Sequence, residues 1–194
     1  MDVWSTPEFE AVLRTWVEAQ VGPVTSLVPS KKRPWAVVWR AETADGAYYA
    51  KQNCPGQAFE ARLMGLLAEL APAYVVPVTA VDPDRDFLLT PDQGEVFGEA
   101  VAPDDLDAWR RLVVRAMELS RAVADDADRL VATGATGCRV PDRVRDEVEP
   151  LLEAVGALGL PESLVHNDLH EHNAFDLPGG LVFFDFADAV VANP

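Results

Sequence analysis

One stretch near the end of the chain constrains it more than any other: Leu164-Val-His-Asn-Asp-Leu-His-Glu-His-Asn-Ala-Phe-Asp176, followed by Leu181-Val-Phe-Phe-Asp-Phe-Ala-Asp188. Its polar skeleton is His166-x-Asp168, then Asn173, then Asp185 after an apolar run. Ala174 to Asp176 reads as a short strand. Leu177-Pro-Gly-Gly180 reads as a turn, with Pro fixing φ and Gly supplying positive φ. Leu181 to Phe184 is an apolar run of the kind a strand buried on both faces carries. Such a hairpin holds Asn173 before one strand and Asp185 after the other, so both side chains reach one ion.

Phosphoryl transfer from a nucleotide needs a carboxylate to position or deprotonate an acceptor hydroxyl, and hard oxygen ligands for magnesium. Asp168 suits the first task, and Asn173 with Asp185 the second. The stretch resembles the catalytic loop and magnesium segment of the protein-kinase-like superfamily. Its His-x-Asp-Leu-His-x-x-Asn form is more similar to the aminoglycoside phosphotransferase and choline kinase branch than to protein kinases. The latter place Arg-Asp there and Asp-Phe-Gly downstream, whereas the second motif here is Asp185-Phe-Ala-Asp188. The resemblance makes Asp168 the catalytic base, His166 the residue that braces the loop, and Asn173 and Asp185 the metal ligands. Asp188 matches an acidic residue often found after the second motif, or else is a helix cap or solvated loop residue.

The 194 residues suffice for one domain or two lobes around a sizeable core. A net charge of −16 repels phosphate backbones and anionic lipid. Neither nucleic acid nor membrane is therefore an expected partner. The same surface attracts a cationic substrate, and serves equally as a solvated coat that keeps the protein soluble. Cys54 and Cys138 have no metal-type spacing and read as reduced thiols of a cytoplasmic protein. The first ten residues lack the basic region and apolar core of a signal peptide.

Taken in order, Thr6-Pro7-Glu8 starts a helix with Phe9, Val12, Leu13 and Trp16 inward, ended by Gly22-Pro23. Val24–Val28, Ala36–Thr43 and Ala47–Lys51 follow as antiparallel strands, the last two joined by a turn at Ala44-Asp-Gly46. Pro29-Ser-Lys-Lys-Arg-Pro34 is the loop that covers nucleotide phosphates in the resembled fold. It has no glycine, but three adjacent cations that serve either phosphate or solvent. The resemblance makes Lys51 the phosphate-holding lysine and Glu60, early in a helix over 57–70, its partner. Val75–Val81 and Asp86–Thr90 complete a five-stranded sheet. In the resembled fold the hinge between lobes then falls at 89–94, and the resemblance makes Leu89, Thr90 and Asp92 the residues whose backbone groups bind the adenine edge. A long helix from Leu106 to about Thr133 has Trp109 and Met117 in its core face. Asp142 starts another, with Val144, Val148, Leu151, Leu152 and Val155 inward.

All three histidines, His166, His170 and His172, fall within seven residues. Read without the resemblance they suggest a zinc hydrolase, although the spacing is not a common zinc signature. The resembled kinases continue past the point where this chain stops. The chain is thus either cut short or a naturally short form that dimerises through surface left by the missing helices. The expected architecture is α+β, a protein-kinase-like two-lobe fold. Residues 1–91 form a nucleotide-binding lobe with a five-stranded antiparallel sheet, and 95–194 a mainly helical, incomplete catalytic lobe. The expected activity moves the γ-phosphoryl group of ATP or GTP, with Mg2+, to a hydroxyl of a small molecule. The acceptor is aminoglycoside-like, or that of a choline-, homoserine- or fructosamine-type kinase. The remaining reading is a non-catalytic nucleotide-binding scaffold.

Overall fold

A computed structural model describes residues 3–137, 149–151, 153–159 and 161–192. Helix α1 (Pro7–Val21) starts where the Thr6 hydroxyl accepts from Phe9 N at 3.2 Å. It ends at Gly22, whose φ of +79° a residue with a Cβ adopts only at a cost. Phe9, Leu13, Trp16 and Val17 are buried, while Val12 faces out. Phe9 and Trp16 meet Phe87 of the sheet at ring-centroid distances of 6.0 and 5.2 Å. Aromatic contacts of this kind add about 0.5–1.5 kcal/mol to area burial.

That sheet has five antiparallel strands: β1 (Ser26–Lys32), β2 (Ala36–Thr43), β3 (Gly46–Asn53), β4 (Ala80–Asp82) and β5 (Phe87–Pro91), in the order β1-β2-β3-β5-β4. It is the sheet expected from the sequence, with three local differences. First, β1 runs through Lys32, so the open part of the cationic segment shrinks to residues 33–35. A register shift between Pro29 and Lys31 makes this possible, since an edge strand tolerates a proline that donates nothing to the ladder. Second, β3 continues two residues past Lys51. Third, Val75–Val81 is not one strand. Val76 N donates to Phe183 O at 3.0 Å and Phe183 N to Tyr74 O at 2.8 Å. This segment therefore ties the sheet side to the later hairpin, and Pro77 interrupts further pairing.

Helix α2 (Glu60–Leu70) packs on the sheet face opposite α1 and buries Leu63, Met64 and Leu67. It begins three residues later than expected because Pro55–Gln57 forms a 3-10 turn first. After β5 come α3 (Phe97–Ala100), α4 (Leu106–Ala122) and, past a 3-10 turn at Ala124–Asp126, α5 (Ala127–Ala132). The one long helix expected is thus broken near Val123. Its inward face also differs. Ala108, Leu112, Leu119 and Val123 are buried, whereas Leu106, Val113 and Met117 are exposed, Met117 at 51%. Apolar residues occupy more than one stripe of α4, so periodicity alone does not select the face that meets the strands below. Trp109 is half-buried, edge-on to Phe97 at 5.4 Å. Helical residues 149–151 and 153–156 expose Leu151 and Val155, against the inward placement expected. Asp142, Val144 and Val148 lie outside the described residues, as do Cys138 and the side chain of Leu152.

Beneath α4 lies a three-stranded sheet of β6 (Thr136–Gly137), β7 (Ser163–Val165) and β10 (Val190–Ala192), ordered β6-β10-β7. The sequence gives little sign of it, since two- and three-residue strands carry no period. The expected hairpin is β8 (Ala174–Leu177) with β9 (Gly180–Phe183), in register from Ala174↔Phe183 to Leu177↔Gly180. One apolar core runs from α2 through this hairpin to α4, and a second lies between α1 and the five-stranded sheet. Among the described residues no helix is long and apolar enough to cross a membrane.

Candidate active site

Strand alternation decides where Lys51 points. Its neighbour Ala50 is buried under α1, so Lys51 projects from the opposite face, toward α2 and the hairpin. Lys51 Nζ lies 2.6 Å from Glu60 Oε2 and also donates to Asp185 Oδ1. Glu60 is the first residue of α2 and 0% exposed. Its second oxygen accepts from Phe186 N at 2.9 Å, and Asn53 Nδ2 donates to Oε2 at 2.8 Å. Three segments distant in sequence therefore meet at one buried carboxylate: β3, α2 and Phe186, just past β9.

Each charge in this group is set by its neighbours. Burial alone would lower the Lys51 pKa, but the Glu60 and Asp185 carboxylates outweigh it and hold the ammonium above the usual lysine value. Burial pushes the Asp185 carboxyl up. Lys51, by charge and hydrogen bond, overcomes this with help from Lys31 and keeps Asp185 below the usual carboxylate range. For Glu60 burial wins: its carboxyl is pushed up despite Lys51 and Asn53.

Asp185 follows β9 with φ +63°, and Asn167, beside Asp168, has φ +62°. Left-handed backbone at residues other than glycine costs of order 1 kcal/mol, is borne most easily by Asn and Asp, and concentrates at functional sites. The hairpin joins the two motifs: Phe184 N donates to Asn173 O at 3.1 Å. Asn173 is buried, and its Nδ2 donates to Asp168 O at 2.9 Å and to Asp168 Oδ2 at 3.3 Å. With both donor hydrogens on Asp168, the carboxamide oxygen remains as its acceptor end. That oxygen and the Asp185 carboxylate are hard donors of the kind Mg2+ takes, with water and phosphate completing its shell.

His166 is buried, with Nε2 2.9 Å from Phe184 O and its ring 4.4 Å from that of Phe186. A carbonyl only accepts, so Nε2 carries the proton. Burial lowers the imidazole pKa, which agrees with a neutral ring. His166 thus ties the 166–173 loop to the residue before Asp185. The side chain of Asp168 is half exposed. His170 Nδ1 accepts from His172 N at 3.1 Å and its Nε2 lies 3.7 Å from Asp168, while His172 faces solvent. Among the described residues no three His, Cys, Asp or Glu side chains gather around one point. The donor geometry therefore gives a zinc site no support.

A cavity of about 250 Å3 opens beside this group. Lys51, Glu60 and Asp185 line it together with Thr90, Pro91 and Gln93, and Val38, Leu88 and Phe184 add apolar surface. Phe184 stacks on Phe175 at 4.9 Å and 23°. Leu89 points away, into the α1 core, and its carbonyl accepts from Thr79 N at 2.8 Å. Asp92 lies beyond the cavity wall, where its carboxylate accepts from Gly94 N and Arg40 Nη2. Lys31 lines the mouth, and Lys32, on the other face of β1, donates to Ser5 Oγ. The exposed Asp188 accepts from Gln57 Nε2 at 2.9 Å.

Two supports of the site had no signal in sequence. Ser120 donates to Leu164 O and its carbonyl accepts from Ser163 Oγ at 2.5 Å, fastening α4 to the strand that feeds the 166–173 loop. Gly98 N donates to Glu171 O at 2.9 Å, holding that loop from its other side. A serine inside a helix and a glycine after a hinge are too common to single out.

The same arrangement of elements occurs in solved structures. The GDP complex of aminoglycoside 2′-phosphotransferase-IIIa is 13% identical, with a TM-score of 0.60 over 97% of this chain and 75% of that one. Choline kinase LicA from Streptococcus pneumoniae is 15% identical, with a TM-score of 0.61 over 96% and 71%. The chain has the protein-kinase-like fold of these phosphotransferases. A ternary complex of aminoglycoside phosphotransferase APH(4)-Ia with ADP and hygromycin B is 14% identical, with a TM-score of 0.55 over 94% and 73%. No family model and no curated protein matches the sequence. At these identities the likeness is one of fold, and the kinase-like α+β architecture expected from the sequence stands.

Proposed function

We propose that the chain transfers the γ-phosphoryl group of ATP or GTP to a hydroxyl of a small molecule. The observation that carries this is Lys51, held between Glu60 and Asp185 in a cavity lined partly by apolar residues. A fixed ammonium beside apolar lining residues suits phosphates joined to a planar base. Structures of the same fold bind GDP, or ADP with hygromycin B, which supports the reading.

In this reading residues 1–91 grip the nucleotide, 89–94 form the hinge, and the catalytic loop follows. Lys51 binds the α- and β-phosphates, and Glu60 orients Lys51. Lys31, at the cavity mouth, adds a second positive charge where the segment lacks glycine. Thr90, Pro91 and Gln93 line the cavity at the hinge, where the base edge would lie. Asn173 and Asp185 would hold magnesium, which neutralises charge on the phosphates. Asp168, half exposed, orients the acceptor hydroxyl and takes its proton. His166 braces the loop. Catalysis is then mainly positioning and charge stabilisation. A net charge of −16 favours a cationic acceptor.

The test is thermal stability with and without nucleotide and magnesium, in the wild type and in Asp185→Ala. Ligand at a hundred times its dissociation constant stabilises by about 2.7 kcal/mol, or roughly 5–10 °C for a chain of this size. A magnesium-dependent rise that Asp185→Ala abolishes supports the site, and acceptor profiling then separates aminoglycoside-, choline-, homoserine- and fructosamine-type acceptors. No rise in well-folded protein overturns the reading.

A further inference from the structure

Behind the Lys51–Glu60 pair lies a second buried layer that the proposed chemistry does not use. Asn53, the last residue of β3, and Asp86, just before β5, are both buried. Asn53 Nδ2 donates to Glu60 Oε2 at 2.8 Å and to Asp86 Oδ2 at 3.1 Å. Asp86 Oδ2 also accepts from Asn53 N at 3.2 Å, and Asp86 Oδ1 from Ala61 N at 3.1 Å. Both oxygens facing the Asn53 amide are acceptors, so only its NH2 can face them. The amide is thus a neutral donor placed between two buried carboxylates. The Glu60 oxygen it holds is the one that meets Lys51.

The backbone bears a cost to build this. Asp86 has φ +53° and, with Asn167 and Asp185, completes the non-glycine residues with positive φ among the described residues. The other two flank or form the proposed catalytic centre. A turn that only joined β4 to β5 would relax with glycine or a solvent-facing asparagine. Here the strain aims a carboxylate inward, at the first turn of α2 and the end of β3.

We propose that Asn53 and Asp86 are positioning residues that set the Lys51–Glu60 pair for the nucleotide phosphates. Asn53 fixes the rotamer of Glu60 by bonding the oxygen that meets Lys51. Asp86 fixes Asn53 through its amide and main-chain N–H, and anchors α2 through Ala61 N. The inference rests on the phosphotransfer reading of the site. It differs from a plain structural role in one respect: the effect of Asn53 on nucleotide binding must pass through Glu60.

A double-mutant cycle tests this, with Asn53→Leu and Glu60→Gln made singly and together. ADP with magnesium is titrated by calorimetry, and unfolding is followed in urea. Asn53→Leu is expected to weaken ADP about tenfold, the scale of one hydrogen bond to a charged group. In the Glu60→Gln background the same change is expected to have an effect of less than about twofold. A full tenfold loss in both backgrounds, or no loss in either, overturns the proposal. If the wild type binds no nucleotide, the phosphotransfer reading fails separately. The urea cycle then decides whether residues 53 and 60 are coupled, and additive effects overturn the inference. Should Asn53→Leu not fold, Asn53→Ser takes its place, because its hydroxyl stops one bond short of both carboxylates. Asp86→Asn gives a parallel reading: it keeps the shape and removes one acceptor, so it is expected to reproduce the loss in part and to be silent once Glu60 is Gln.

Discussion

Asn173 grips Asp168 twice, donating to its main-chain oxygen at 2.9 Å and toward its carboxylate at 3.3 Å. The residue proposed to bind magnesium therefore also shapes the loop that presents the proposed base. Asn173→Ala removes both bonds and the ligand oxygen. Under the phosphotransfer reading kcat falls roughly 10²–10³-fold, the scale of losing one preorganised polar group. Steady-state assays with ATP and the best acceptor check this. Asn173→Asp restores an oxygen ligand but not the donors, so it recovers nucleotide binding better than turnover.

Gly98 is a packing constraint on the same loop. A Cβ at this position would lie 2.4 Å from Glu171 Cγ and 2.8 Å from Glu171 Cβ. Gly98→Ala must therefore push α3 away from the 166–173 loop and strain the bond from Gly98 N to Glu171 O. A loss of about 1–3 kcal/mol in urea unfolding is expected, as for other overpacked sites. Adding Glu171→Gly removes the side-chain atoms that clash and recovers most of it. Equal stability of Gly98→Ala and the wild type would refute the contact.

The arrangement of the 166–185 stretch was legible because its residues are sequential and chemically particular. His166, Asp168, Asn173 and Asp185 lie within twenty residues, and the hairpin between them is spelled out by Leu177-Pro-Gly-Gly180. The five-stranded sheet was legible through its turns and alternation. What failed was long-range choice. The face of α4 that is buried depends on β7 to β9, which the helix sequence does not contain, so periodicity puts Met117 inside although it lies outside. Val75 and Val76 look like strand residues, but their bonds go to Phe183. Asn53 and Asp86 had no signal either: each is an ordinary polar residue at a strand end, and only the fold brings them to Glu60.

Arg115 shows how α4 is held over the hairpin. Its guanidinium lies 3.8 Å from the centroid of the Tyr74 ring. It also donates to Leu181 O at 3.1 Å and Ala73 O at 2.5 Å. The side chain thus clamps the segment that bonds Phe183 onto β9. Arg115→Ala is expected to cost about 2–3 kcal/mol, from two hydrogen bonds by a charged donor and the stacked ring. Arg115→Lys rescues only part of this, because an ammonium cannot stack and bridge two carbonyls in one plane. Urea unfolding of the three proteins checks the order wild type, Lys, Ala.

The two carboxylates that share Lys51 give opposite slopes of stability against pH. Lys51 holds the Asp185 carboxyl below its unfolded value of about 3.9. Its contribution is therefore present above that pH and lost as pH falls through the lower folded value. Burial raises the Glu60 carboxyl above its unfolded value of about 4.3. Its contribution is full below that pH and declines as pH rises through the folded value. Lys51 is held above the usual lysine range, so it stays charged across this window and does not confuse the comparison. Unfolding free energies are measured from pH 3 upward for wild type, Asp185→Asn and Glu60→Gln. The advantage of wild type over Asp185→Asn should grow with pH at the acid end and then level. Relative to Glu60→Gln the wild type should lose ground over the range above about 4.3. Slopes of the same sign for both variants would mean that Lys51 and burial do not divide their influence between the two acids in this way.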